Sequence, residues 1–173
     1  MAFLTSETFN SLDELLLFEV KDLYDAEQRL VKALPKMEEK ATNPELKKAF
    51  RQHLEETKQH ATRLKQVFEE LDESPEAETC EAMKGLIEEG ESIVNADGDK
   101  SVIDAALIAA AQRVEHYEIS AYGSARAFAK QLGLSRVASL LGETLDEESS
   151  ADAILSRIAE SSVNQESARG RAA

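Results

Sequence analysis

Residues 113–122 read RVEHYEISAY, and the placement of two acids within this decapeptide decides the fold. Around it Ile103, Leu107, Val114, Ala121, Ala125 and Leu132 recur with the period of a helix and define one apolar line. Glu118 falls on that line, Glu115 on its shoulder, and His116 faces away. A carboxylate on a buried stripe is costly unless something pairs with it. The stretch therefore predicts a helix that meets others carrying compensating groups at the same depth, as in a bundle built around a metal-binding layer.

Three other helical patterns supply such groups. In the first, Leu16, Leu23 and Leu34 centre the stripe; Glu27 lies on it, whereas Asp22 and Asp25 do not. In the last, Leu141, Leu145, Leu155 and Ala159 set the stripe; Glu148 and Asp152 fall inside it, and Glu147 falls outside. The second pattern is less regular, with Phe50, Leu54, Thr57, Ala61, Leu64 and Phe68 marking its stripe, His53 and His60 near the edge, and Glu56 farther round. The candidate metal ligands are Glu27, Glu56, His60, Glu115, Glu118, Glu148 and Asp152.

Depth offers an independent check, because residues equally far from an antiparallel turn lie side by side. About a turn near residue 42, Glu27 is 15 residues back and Glu56 and His60 are 14 and 18 forward. About a turn near residue 134, Glu118 and Glu115 are 16 and 19 back, against 14 and 18 forward for Glu148 and Asp152. Levels agree within about one helical turn, ~5.4 Å. His53 lies one turn too close to the first turn and is set aside. Tyr122, one turn beyond Glu118, reads as packing, the alternative being a hydrogen bond to a ligand or a role in electron transfer.

Punctuation gives the order of elements. Ser11 with Glu14 forms a capping box for a first helix of about 12–41, interrupted by Pro35. Asn43, Pro44 and Glu45 open a second helix of about 44–71 across a tight turn. Ser74, Pro75 and Glu76 repeat that signal for a short, partly exposed helix of about 75–95. After the turn Asn95–Asp99, Ser101 with Asp104 caps a helix that Gly133 ends, and Ser135 opens one running to about Ala159. Two antiparallel hairpins joined by a long crossover with a short fifth helix make an all-α, ferritin-like four-helix bundle. One domain of residues 1–160 is expected, followed by a loose polar tail of 161–173.

Composition agrees and narrows the function. The chain has 173 residues with 5% aromatics, no Trp, seven Gly and three Pro, a profile of long helices. Its 34 acidic and 20 basic residues give a net charge of −14, which repels nucleic acid. No apolar run reaches the ~20 residues of a membrane span, and the N-terminus lacks a signal-peptide pattern. A single Cys80, flanked by Glu78 and Glu81, excludes an internal disulfide and argues against a redox role, so a cytoplasmic address is expected.

The stretches DLYDAEQRL from Asp22, HLEETKQHATRL from His53, EHYEISAYG from Glu115 and LGETLDEESSADAIL from Leu141 resemble the ferritin-related bacterial stress proteins of the YciF type. The spacing Glu115-x-x-Glu118 is similar to that of rubrerythrins. The resemblance covers about residues 7–160 and implies a four-helix core, a homodimer and a di-metal centre, without an assigned reaction. Two departures from the di-iron pattern stand out: Glu56-x-x-x-His60 replaces the usual Glu-x-x-His, and the last helix carries Asp152 and no histidine. An oxygen-rich set suits two iron or manganese ions. The leading expectation is a stress-response protein that reduces peroxide or oxidises ferrous iron. It would need an external electron donor, because the chain has no CxxC pair. The alternative is a non-enzymatic dimeric bundle or adaptor with a degenerate site.

Overall fold

A computed structural model describes residues 8–169, which form six α-helices. These are α1 (Leu12–Lys40), α2 (Pro44–Glu70), α3 (Glu81–Val94), α4 (Lys100–Gln131), α5 (Ser135–Ile158) and, after a π-helical turn at Ala159–Val163, α6 (Asn164–Arg169). The long helices α1, α2, α4 and α5 make the expected all-α bundle. α1 packs on α2 and α4, and α5 packs on α2 and α4. Contacts of Thr42 with Asp104 and of Glu27 with Tyr122 show that α1 and α4 run in opposite directions. The connection from α2 to α4 therefore climbs the length of the bundle, with α3 packed across α1 and α4.

Several ends follow the sequence signals. The Ser11 hydroxyl accepts from the Glu14 amide at 3.2 Å. The Glu14 carboxylate bonds the amide of Asn10, one residue earlier than a capping box would have it. Asn43 accepts from the amides of Glu45 and Leu46 at 2.9 and 3.1 Å. At the end of α4, Gly133 adopts φ +76°, and the amides of Gly133 and Leu134 return to the carbonyls of Lys130 and Ala129, a Schellman closure.

Three expectations are corrected. The helix expected from Pro75 begins only at Glu81, because the preceding strap is tied to α1: the Glu78 amide donates to the Lys21 carbonyl and the Cys80 amide to Asp25. The Cys80 sulfur then accepts from the Met83 amide and caps α3. Asp104 does not cap its own helix, a task done by Asp99; it is buried and accepts from the Thr42 amide, the Thr42 hydroxyl and the Asn43 amide. The segment from residue 161, expected to be loose, is helical through Arg169 and buries Val163; residues 170–173 of the expected tail, like 1–7 of the expected domain, lie outside the described residues.

The apolar core is divided in two. One cluster gathers Leu30, Leu34, Phe50, Leu107, Val114 and Leu155; the other gathers Leu16, Leu23, Leu64, Phe68, Ala121 and Leu141. Between them each long helix turns polar residues inward: Glu27, then His53 and His60, then Glu115 and Glu118, then Glu148. Each fully buried Leu or Phe contributes about 1.5–3 kcal/mol, so the two clusters supply the stabilisation against which a buried charged layer is held.

Candidate metal centre

Six buried side chains make the layer. His53, Glu115, Glu118 and Glu148 form one group and Glu27, His60 and Glu148 another, each with one donor atom per residue within 4.8 Å of the rest. Glu148 is common to both. Its Oε1 lies 2.8 Å from His60 Nδ1 and its Oε2 3.8 Å from His53 Nε2. His53 Nε2 is also 3.3 Å from Glu115 Oε1, and His60 Nδ1 is 3.4 Å from Glu27 Oε1.

These atoms are close without satisfying one another. Among the described residues ten buried side-chain polar atoms lack a hydrogen-bond partner, and nine belong to this layer: Glu27 Oε2, both nitrogens of His53, His60 Nδ1, Glu115 Oε2, and both oxygens of Glu118 and of Glu148. Each orphan of this kind costs about 1–3 kcal/mol, and native proteins hold few of them. Nine in one layer, all on oxygen or imidazole nitrogen, match the donor set of hard or borderline divalent cations.

The electrostatics point the same way. Burial, compounded by the neighbouring Glu148, pushes the Glu115 and Glu118 carboxyls well above the usual range. Glu27 is also raised by burial, against the lowering effect of His60. Burial opposes ionisation of Glu148 too, but His60 and His53 outweigh it and hold that carboxyl low. His60 is the counterpart: burial works against its charge, yet Glu148 and Glu27 lift it to about 10. A layer with five acidic and imidazole groups so displaced holds more acid than its one raised imidazole balances.

Supporting contacts fix two of the side chains. Tyr122 donates its hydroxyl to Glu27 Oε1 at 2.5 Å, so it does more than pack. His60 Nε2 lies 2.9 Å from Glu147 Oε2, and Arg63 clamps Glu147 at 2.7 Å while also donating to the Thr144 hydroxyl. Glu147, placed outside the layer by its helical angle, reaches back to the far side of the imidazole.

The sequence-derived residues divide accordingly. Glu27, His60, Glu115, Glu118 and Glu148 come together. Glu56 does not, because Thr57 takes the inward position on α2 and Glu56 stays partly exposed, 3.8 Å from His53 Nδ1. Asp152 faces the outer side of α4, where it accepts from Gln112 at 2.9 Å. His53 was passed over although it sits seven residues, two turns, before His60 and so shares its face. Requiring one common level excluded it, whereas the layer spans about two turns of α2.

The chain matches, over residues 11–168, the model of a family described as a domain of unknown function, DUF892. The chain belongs to the DUF892 family. This DUF892 chain is 42% identical over 156 residues to protein YciF of Escherichia coli (strain K12), covering 90% of the chain and 94% of that protein. The crystal structure of the E. coli stress protein YciF superimposes with a TM-score of 0.87, covering 90% and 99% of the two chains at 41% identity. YcfI from Rhodopseudomonas palustris gives 0.84 at 43% identity, over 87% and 96%. A Xanthomonas campestris protein at 23% identity gives 0.73 over 93% and 99%, a likeness of fold alone. The ferritin-like architecture is thus that of the DUF892 relatives. No helix among the described residues is long and apolar enough to cross a membrane.

Proposed function

We propose that this protein is a ferritin-like di-metal protein of the stress response, holding two iron or manganese ions between His53, Glu115, Glu118 and Glu148 on one side and Glu27, His60 and Glu148 on the other. The observation that carries the reading is the set of nine unpartnered buried donor atoms in one layer. Its oxygen-rich composition with two imidazoles favours iron or manganese over softer ions. A bound pair of such ions would supply the redox chemistry for reducing peroxide or oxidising ferrous iron.

The chain's own residues have distinct tasks in this reading. Glu148 spans the two groups. Tyr122 holds Glu27, and Glu147 with Arg63 holds His60 so that Nδ1 faces the interior. The two apolar clusters keep bulk water from both ends of the layer. The chain has no CxxC pair, so an external electron donor completes the cycle. The reading includes a homodimer and a cytoplasmic address, the latter in keeping with a lone buried Cys80.

The test is metal content by mass spectrometry after anaerobic loading of chelator-stripped protein with iron(II) or manganese(II). About two ions per chain in the wild type, and none in a Glu148→Ala variant that remains helical by circular dichroism, is the expected result. A wild type that retains no stoichiometric metal under either loading overturns the reading in favour of a non-enzymatic bundle.

A further inference from the structure

The layer is not sealed on all sides. Between α2 and α5 a narrow cleft of about 20 Å³ opens beside it, walled by Ala49, Ala151 and Leu155. Its floor is formed by His53 and Glu115, whose side chains are 7% and 2% exposed. Its rim carries Gln52 and Glu56, the latter 27% exposed.

We propose that this cleft is the port through which a divalent cation reaches the layer, and that Glu56 is the transfer ligand at its mouth. The proposal rests on the two-metal reading above. A volume near 20 Å³ leaves room for water-sized particles only. A hydrated divalent ion carries about six waters and cannot pass intact, so it must exchange water for protein oxygens at the surface. Glu56 is the acid placed to begin that exchange. Gln52 donates to its Oε1 at 2.8 Å and leaves Oε2 turned toward His53 Nδ1, 3.8 Å away.

The other face of the same imidazole, Nε2, looks into the layer at Glu115 and Glu148. Both His53 nitrogens lack hydrogen-bond partners, as does Glu115 Oε2, so unpartnered buried donors line the far side of the cleft. Glu56, His53 and Glu115 thus form a continuous line of donors from solvent to interior. A net charge of −14 gathers cations at the surface generally, and the port determines where they enter.

The experiment is rapid mixing of the full-length, metal-free protein with cobalt(II), following its visible absorption bands, for the wild type, Glu56→Gln, Ala49→Leu and a charge-matched control, Glu55→Gln. Glu55 is exposed and paired with Lys58 away from the cleft. Uptake slowed about tenfold or more in Glu56→Gln and in the cleft-filling Ala49→Leu, with the final absorption and the content of about two ions unchanged, is the expected outcome. The control should load at the wild-type rate. A Glu56→Gln variant that loads as fast as the wild type overturns the port. One that loads fewer ions makes Glu56 a permanent ligand and overturns its transfer role. Failure of the wild type itself to bind cobalt brings down the two-metal reading, an outcome distinct from normal binding at unaltered rates.

Discussion

Glu147 lies 2.9 Å from His60 on the side of the ring that faces away from the buried acidic layer. A carboxylate there keeps a proton on Nε2, so the proton that His60 gives up when a metal binds is the one on Nδ1, which faces Glu148 and Glu27. Arg63 holds Glu147 with two guanidinium nitrogens, at 2.7 and 3.2 Å. Arg63 thereby fixes the position of Glu147 against the imidazole.

Replacing Glu147 with Ala should therefore weaken metal binding at the Glu27 and His60 group by about 10–100-fold without unfolding the protein. Glu147→Gln, which keeps an acceptor oxygen for Nε2–H, should recover part of that loss. Competition titration against a chelator of known affinity measures both. Equal affinities for the wild type and Glu147→Ala would show that the contact does not orient His60. On helical angle alone Glu147 would have served as an inert control.

The two groups of buried side chains share only Glu148, and on the two-metal reading this predicts an asymmetric response to truncation. Glu27→Ala should cost one ion and leave the His53, Glu115, Glu118 and Glu148 group intact. Glu118→Ala should cost the other ion and spare the Glu27 and His60 group. Metal content per chain, read for both variants on the same preparation, separates this from a single site that loses everything with either change. Without metal, Glu118→Ala should melt at or above the wild-type temperature, since both oxygens of that buried acid lack partners, whereas Glu27→Ala strands the buried Tyr122 hydroxyl and should melt lower.

The bundle was legible because a 3.6-residue stripe survives single polar intrusions, and the intrusions themselves marked the site. Five of the six layer residues carry that mark. Asp152 is admitted by its angle on the last stripe and Glu56 by its depth from the turn, but neither measure can show that Thr57 occupies the inward slot or that Gln112 attracts Asp152 outward. Asp104 is another case: its use lies across the bundle at Thr42, a pairing set by tertiary packing and invisible to local capping rules. The late start of α3 has the same origin, since the strap before it finds its hydrogen-bond partners on α1.

Asp104 yields a prediction about the scaffold alone. Its carboxylate accepts three bonds from the turn between α1 and α2, and removing a hydrogen-bonded charged acceptor costs about 1.5–3 kcal/mol, with bonds to one carboxylate not additive. Asp104→Ala should lower stability by about 2–3 kcal/mol, or the melting temperature by roughly 5–10 °C for a chain of this size. Metal content should be unaffected. A melting temperature within a degree or so of the wild type would mean that water replaces the carboxylate at no cost.

The metal-free protein should lose stability as pH rises, and the direction follows from the shifted groups. Glu27, Glu115 and Glu118 are raised from 4.5 by burial, so the stability they contribute is fully present below that value and is lost as pH climbs through their folded-state values. His60, raised from 6.5 to about 10, contributes stability that is present below 6.5 and lost toward 10. Glu148 is lowered, so its contribution is present above 4.5 and fails only at strongly acid pH. Between pH 5 and 9 the melting temperature of metal-free protein should therefore fall, by roughly 3–5 °C per unit for each proton the fold retains. Metal binding needs the same groups deprotonated, so the melting temperature of loaded protein should hold or rise over that interval. Thermal melts by circular dichroism on both forms check this, and a metal-free curve that is flat or rising from pH 5 to 9 would show that these carboxyls are not protonated in the fold.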